Sequence, residues 1–142
     1  MLKEKHKGDL DLRGKKYMEL PQEFELDGDL RLEGSRLLES LPKKLKVTGR
    51  LCLDNTQITE LPENLEVGDD LNLNYVPIKS LPEGLKVGGD LFLGNTKIHS
   101  LPKGLEVGKN IIINGSSQIA SKYTAEELKQ MCAGVKGDVE YL

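Results

Sequence analysis

A unit of 20 residues, recopied along most of the chain, decides what this sequence can fold into. Its clearest copies are 49–68 (GRLCLDNTQITELPENLEVG), 69–88 (DDLNLNYVPIKSLPEGLKVG) and 89–108 (GDLFLGNTKIHSLPKGLEVG). Each copy opens on two apolar residues separated by one other: Leu10/Leu12, Leu30/Leu32, Leu51/Leu53, Leu71/Leu73, Leu91/Leu93 and Ile111/Ile113. A Leu-Pro step follows, at Pro21, Pro42, Pro62, Pro82 and Pro102. A second apolar pair closes the unit: Phe24/Leu26, Leu45/Val47, Leu65/Val67, Leu85/Val87 and Leu105/Val107. In an L-x-L segment both leucines face one way and the middle residue the other, which is the period of a strand and not of a helix. The remaining inward positions of a unit, such as Ile58, Leu61, Leu65 and Val67, are too few to form a core alone. Neighbouring copies must therefore stack, and the chain is expected to be a mainly β solenoid of about six coils, a rod roughly 25–30 Å long at the usual strand spacing. Gly and Asn at Asn55, Gly68, Gly88, Gly94, Asn95 and Gly108 mark its corners, and proline keeps the return side from being a helix or an interior ladder strand.

Composition narrows the function more by exclusion than by assertion. The 142 residues are 37% hydrophobic and 30% charged, as expected of one modest domain. No apolar run approaches the roughly 20 residues of a spanning helix. The segment 1–7 (MLKEKHK) is too charged for a secretory signal, so a cytoplasmic chain with no membrane partner is expected. A net charge of −3 gives no basic excess for phosphates, so direct nucleic-acid binding is not expected. Cys52 and Cys132 form no CxxC pair and read as free thiols. The histidines are His6 and His99, and His99 aligns with Thr59 and Lys79 on the return side, a solvated position. No GxSxG, Walker A, HExxH or EF-hand pattern occurs, and the Gly-Gly-Asp at 88–90 lacks the spacing of calcium-binding nonapeptides. The chain is thus expected to be no enzyme and to carry no cofactor or metal.

The stretch 91–105 (LFLGNTKIHSLPKGL) matches the pattern LxLxxNxLxxLPxxL, with Thr96 in the asparagine slot. On these residues the chain resembles the leucine-rich repeat family over about 8–120, in the short bacterial and phage form with a Leu-Pro step. Two departures stand out. The leucine that usually precedes the L-x-L pair by three residues is replaced by Lys7, Asp27, Thr48, Gly68, Gly88 and Gly108. The asparagine slot holds Lys15, Thr56, Val76 and Thr96, so the family's asparagine ladder is absent or shifted to Asn55 and Asn95. A three-sided β-helix is the architectural alternative.

The reading divides the single domain into an N-terminal lead (1–7), the repeat solenoid (8–120) and a C-terminal cap (121–142) of a helix and then a short strand. Thr124 and Glu127 have capping-box spacing, Leu128, Met131 and Cys132 give one apolar face, and Gly134 is a natural stop. One extra residue around 35–38, and an irregular stretch at 114–119, predict corner bulges. The short lead leaves the first coil thinly covered and open to pairing with a second copy.

Stacking at fixed register turns the solvent-facing positions around L-x-L into three columns. The first runs Asp9, Asp29, Arg50, Asp70, Asp90, Asn110. The second runs Asp11, Arg31, Cys52, Asn72, Phe92, Ile112, and the third Arg13, Glu33, Asp54, Asn74, Gly94, Asn114. The resemblance implies that this sheet is where a partner protein docks. Phe92 beside Ile112 reads either as an anchor for that partner or as packing beneath the cap. A further column, Glu25, Lys46, Glu66, Lys86, Glu106, alternates in sign and predicts ion pairs on the back. The expected function is a non-enzymatic protein-binding scaffold, by analogy an inhibitor of a host protein carried by a phage or mobile element. The alternative is an acidic nucleic-acid mimic presenting Asp9, Asp11, Asp29, Glu33, Asp54, Asp70 and Asp90 as phosphate substitutes, with Arg13, Arg31 and Arg50 counting against it.

Overall fold

Once the inner leucines stack, every backbone N–H and C=O of the strands needs a partner in the coil above or below, which fixes a parallel arrangement. A computed structural model of the chain describes residues 4–14, 20–114 and 117–142. It is mainly β, a solenoid of about five turns with a small helical part at its C-terminal end. The first ladder, here the L-x-L sheet, contains β2 (Leu10–Asp11), β4 (Leu30–Arg31), β6 (Leu51–Cys52), β8 (Leu71–Asn72), β10 (Leu91–Phe92), β12 (Ile111–Ile113) and β13 (Val139–Tyr141) in that spatial order. Its register sets Leu10, Leu30, Leu51, Leu71, Leu91, Ile111 and Val139 in one inward row.

A second ladder lies on the neighbouring side. This L-x-V sheet contains β1 (Lys5–Lys7), β3 (Glu23–Asp27), β5 (Lys44–Val47), β7 (Glu66–Val67), β9 (Lys86–Val87) and β11 (Glu106–Val107), again all parallel. The coil therefore uses two strands where the L-x-L motif alone announces one. On the remaining side, around the Leu-Pro steps, no strand is found among the described residues. That side still fills the core, since Ile58, Leu61, Ile78, Leu81, Ile98 and Leu101 are all buried.

The predicted charge column is in register across the L-x-V sheet and begins one coil sooner, at Lys5. Ion pairs form at 4.0 Å for Lys5–Glu25, 3.6 Å for Lys46–Glu66 and 3.9 Å for Lys86–Glu106. Lys5–Lys7 is thus the first strand of the sheet and not a bare lead. The predicted bulge at 35–38 is present: Ser35 N–H donates to Leu32 C=O and Leu38 N–H to Ser35 C=O, which expels Leu37 at 70% exposure while Leu38 packs on the core. Of the irregular stretch at 114–119, residues 115 and 116 lie outside the described residues, as does the Lys15 slot.

The cap begins before residue 121. A short helix α1 (Gln118–Lys122), capped by Ser117, precedes α2 (Ala125–Met131). At α2 the predicted capping box forms in both directions, Glu127 N–H to Thr124 Oγ1 and Thr124 N–H to Glu127 Oε1, each 3.1 Å. Ile119, Leu128, Cys132, Val135 and Val139 close the end of the core. Met131, expected on the same apolar face, instead turns outward at 48% exposure. Among the described residues no helix is long and apolar enough to cross a membrane.

Candidate functional site

On the outer face of the L-x-L sheet the strand register aligns the second predicted column: Asp11, Arg31, Cys52, Asn72, Phe92 and Ile112 are successive neighbours, with Glu140 extending the row. The three columns have different physical roles.

The first column is a hydrogen-bond ladder at the corner that leads into each strand. Asp9 Oδ1 accepts from Asp29 N–H at 2.8 Å, Asp29 Oδ1 from Arg50 N–H at 2.7 Å, Asp70 Oδ1 from Asp90 N–H at 2.8 Å and Asp90 Oδ1 from Asn110 N–H at 2.9 Å. Asn110 Oδ1 then accepts from Asp138 N–H at 2.8 Å and ties in the cap. A short side chain with an oxygen at this spacing satisfies an amide that the parallel ladder does not reach. Arg50 has no acceptor and instead reaches back to Asp69 and Asp70 at 3.7 and 3.9 Å. The side-chain ladder is therefore not at Asn55 and Asn95, which turn the opposite corner with φ of 60° and 58° and are exposed. Beside them Thr56 Oγ1 and Thr96 Oγ1 donate to the carbonyls of Leu53 and Leu93, at 2.7 and 3.0 Å. Replacing Asp90 by alanine is expected to cost about 1 kcal/mol by stranding the Asn110 amide, whereas asparagine, which does the same work at position 110, should be close to neutral. Urea midpoints of the two variants measure the difference, and equal midpoints would remove the ladder's structural role.

The second and third columns meet at the N-terminal coils in a compact group of charges. Residues two apart on a strand share a face, so Asp11 lies beside Arg13 and Arg31 beside Glu33. Arg13 donates to Asp11 through Nε at 2.8 Å and Nη2 at 2.6 Å, and Arg31 donates to Glu33 Oε1 through Nε at 3.0 Å and Nη2 at 2.5 Å. Arg13 Nη1 stands 3.6 Å from Glu33 and joins the pairs into a quartet with no net charge. The Arg13 side-chain hydrogen bond holds the Asp11 carboxyl well below the usual carboxylate range, and the Asp11 hydrogen bond in turn raises the Arg13 guanidinium. The other oxygen of Glu33, Oε2, is buried without a hydrogen-bond partner.

From the third coil to Ile112 the second column carries no charge. Cys52, Asn72, Phe92 and Ile112 are each half-buried, with Asn74, Gly94 and Asn114 alongside. The cap's apolar residues close the inner core, and β13 widens the sheet beside Ile112. Cys52 is less open than an exposed thiol, and burial first, then Glu33 and Asp54, push it up. Asp54 is also raised, by burial and then by the Glu33 carboxylate, against a hydrogen bond to its own backbone.

Comparison with protein-family models, curated proteins and solved structures finds no match. The site is therefore read from its own chemistry. Among the described residues no group of three or more His, Cys, Asp or Glu is arranged to hold a metal ion.

One prominent residue of this face was missed in the sequence. Tyr75 aligns with Asn55 and Asn95, takes the same left-handed conformation at φ 61°, and is 60% exposed. The corresponding corners at Gly14 and Gly34 use glycine, at φ 69° and 76°. The repeat alignment held the signal: a large aromatic residue at a position where every neighbouring coil uses Gly or Asn.

Proposed function

We propose that this chain is a non-enzymatic protein-binding scaffold, a member of the leucine-rich repeat class in the broad sense, that engages a partner protein through the outer face of the L-x-L sheet. The observation that carries this reading is the contrast between the two sheets. On the L-x-V sheet the outward residues neutralise one another coil by coil. On the L-x-L sheet they vary from coil to coil and include half-buried Phe92 and Ile112. Half-exposed aromatic and aliphatic side chains on a rigid sheet are what an interface anchor requires. Such a scaffold acts by occupying a partner's surface, as an inhibitor of a host protein does.

The first-column ladder weighs against the nucleic-acid mimic. Asp9, Asp29, Asp70 and Asp90 each hold one carboxylate oxygen on a backbone amide. Asp11 and Glu33 are neutralised by arginine.

An affinity pull-down from native host lysate tests the reading. Phe92→Asp is expected to abolish retention of the partner, and Lys46→Ser, on the L-x-V sheet, to leave it intact. Retention of the same protein by folded Phe92→Asp, with loss in Lys46→Ser, would move the interface to the other sheet.

A further inference from the structure

Three features of the outer surface invite a partner, and two have a sufficient structural cause. The trough beside Gly68, Gly88 and Gly108 exists because the coils approach too closely for a side chain there: a methyl group on Gly88 would stand 2.1 Å from the Gly68 carbonyl oxygen. The Asp11, Arg13, Arg31 and Glu33 quartet balances its charges internally, two carboxylates against two guanidiniums, although Glu33 Oε2 has no hydrogen-bond partner. The C-terminal part of the L-x-L face, where Asn72, Phe92 and Ile112 follow one another with Tyr75 at the rim, has no such explanation.

Tyr75 is the decisive feature. A bulky residue in the left-handed region is strained, and strain of this kind persists where something other than stability retains it. Four of the five described residues at this corner, Gly14, Gly34, Asn55 and Asn95, are of types that adopt it readily. Tyr75 is not one of these, and it gains little from burial, being 60% exposed. Its corner adjoins the strand that carries Asn72, and Phe92 and Ile112 are the next residues along the same row.

In the three columns from the third coil on, the carboxylates Asp54, Asp70 and Asp90, with Glu140 beyond them, outnumber the one cation, Arg50. Asp54 borders it on the N-terminal side, Asp90 along the first column and Glu140 on the C-terminal side, and none of the three forms an ion pair among the described residues. Asp70 shares Arg50 with Asp69, at 3.9 Å. An apolar and amide-rich centre with an acidic rim complements a surface of the opposite rim charge.

We infer that the half of the L-x-L face formed by Asn72, Tyr75, Phe92 and Ile112 docks a polypeptide segment whose aromatic or aliphatic side chains are flanked by Lys or Arg. This rests on the protein-binding reading above and narrows it to one half of one face and one class of partner. Tyr75 and Phe92 supply the contact area, while Asp54, Asp90 and Glu140 orient the flanking cations. The raised Asp54 carboxyl agrees with this, since a partly desolvated carboxylate that forms no ion pair is stabilised by the arrival of a cation.

Selection from a random dodecapeptide display library on the immobilised, folded chain tests the inference. Expected binders combine aromatic or aliphatic residues with Lys or Arg and weaken with added salt. Tyr75→Asn, which installs the residue that positions 55 and 95 already use, should leave the melting temperature equal or higher and weaken these binders at least tenfold. Lys46→Ser on the other sheet should leave them unchanged. Binders rich in Asp or Glu, or binders lost in Arg31→Ala but kept in Tyr75→Asn, overturn the inference while leaving the sheet face as the interface. Absence of binders, or binders that no substitution on the L-x-L face affects, overturns both readings.

Discussion

Gly88→Ala is expected to destabilise the protein by about 3 kcal/mol, near the upper end for overpacking, because the added methyl meets backbone and not a side chain able to rotate away. The Cβ would lie 2.1 Å from the Gly68 carbonyl oxygen and 2.9 Å from its carbon. Neither partner can withdraw cheaply: Gly68 N–H donates to Val47 C=O and Gly88 N–H to Val67 C=O, both at 2.8 Å, within the ladder that joins the coils. Gly14→Ala is the informative comparison. Its φ of +69° disfavours alanine, but no atom lies within 4 Å of the new methyl, so the expected loss is only about 1–2 kcal/mol. Urea unfolding of both variants separates packing from backbone conformation. A loss below 1 kcal/mol at Gly88 would mean that the coils can part without penalty.

The second large effect is expected at the cap. Leu128 is fully buried where α2 closes the core. An aspartate there places an unpaired carboxylate among Ile119, Cys132 and the last coil, which costs several kcal/mol and exceeds what a helix of 7 residues can return. Leu128→Asp should release the helix together with β13 and the bridge at Val135, baring the edges of β12 and β11, so that light scattering detects association. Hydrogen exchange should rise at Ile111 and Ile113 and stay low at Leu30 and Leu51, because coils in a stack exchange stability chiefly with their neighbours. Gln130→Asp, on the exposed side of the same helix, should remain unassociated. A Leu128→Asp variant that neither associates nor gains exchange at Ile111 would show that the cap does not protect the last coil.

The solenoid was legible because L-x-L is a complete statement: two inward leucines and one outward residue, repeated at constant spacing. The columns followed directly, as did the Lys and Glu alternation. The second ladder was harder to read, since β7, β9 and β11 span only two residues each and one of the two is charged. Lys5–Lys7 carried no hydrophobic signal at all; Lys-His-Lys becomes a strand because β3 offers it a parallel partner. The aspartate ladder was invisible for another reason. An aspartate before a strand looks like any solvated acid, and only the three-dimensional stacking puts the amide of the next coil within 2.9 Å of it. For the same reason Asp9, Asp29, Asp70 and Asp90 read in the sequence only as solvent-facing acids of the sheet face, with no sign that one oxygen of each also braces its corner. At Tyr75 the sequence showed the residue but not the dihedral angle that makes it exceptional.

The alternating column on the L-x-V sheet bears on how such a chain grows. Because Lys5, Glu25, Lys46, Glu66, Lys86 and Glu106 change sign at every coil, the true period of this solenoid is two turns, about 40 residues, although its shape repeats after one. Duplicating a single turn would set two like charges against each other at the seam, while duplicating a pair would not. Lineages descended from this architecture are thus expected to lengthen or shorten by even numbers of turns, a parity imposed by electrostatics on a backbone that is indifferent to it.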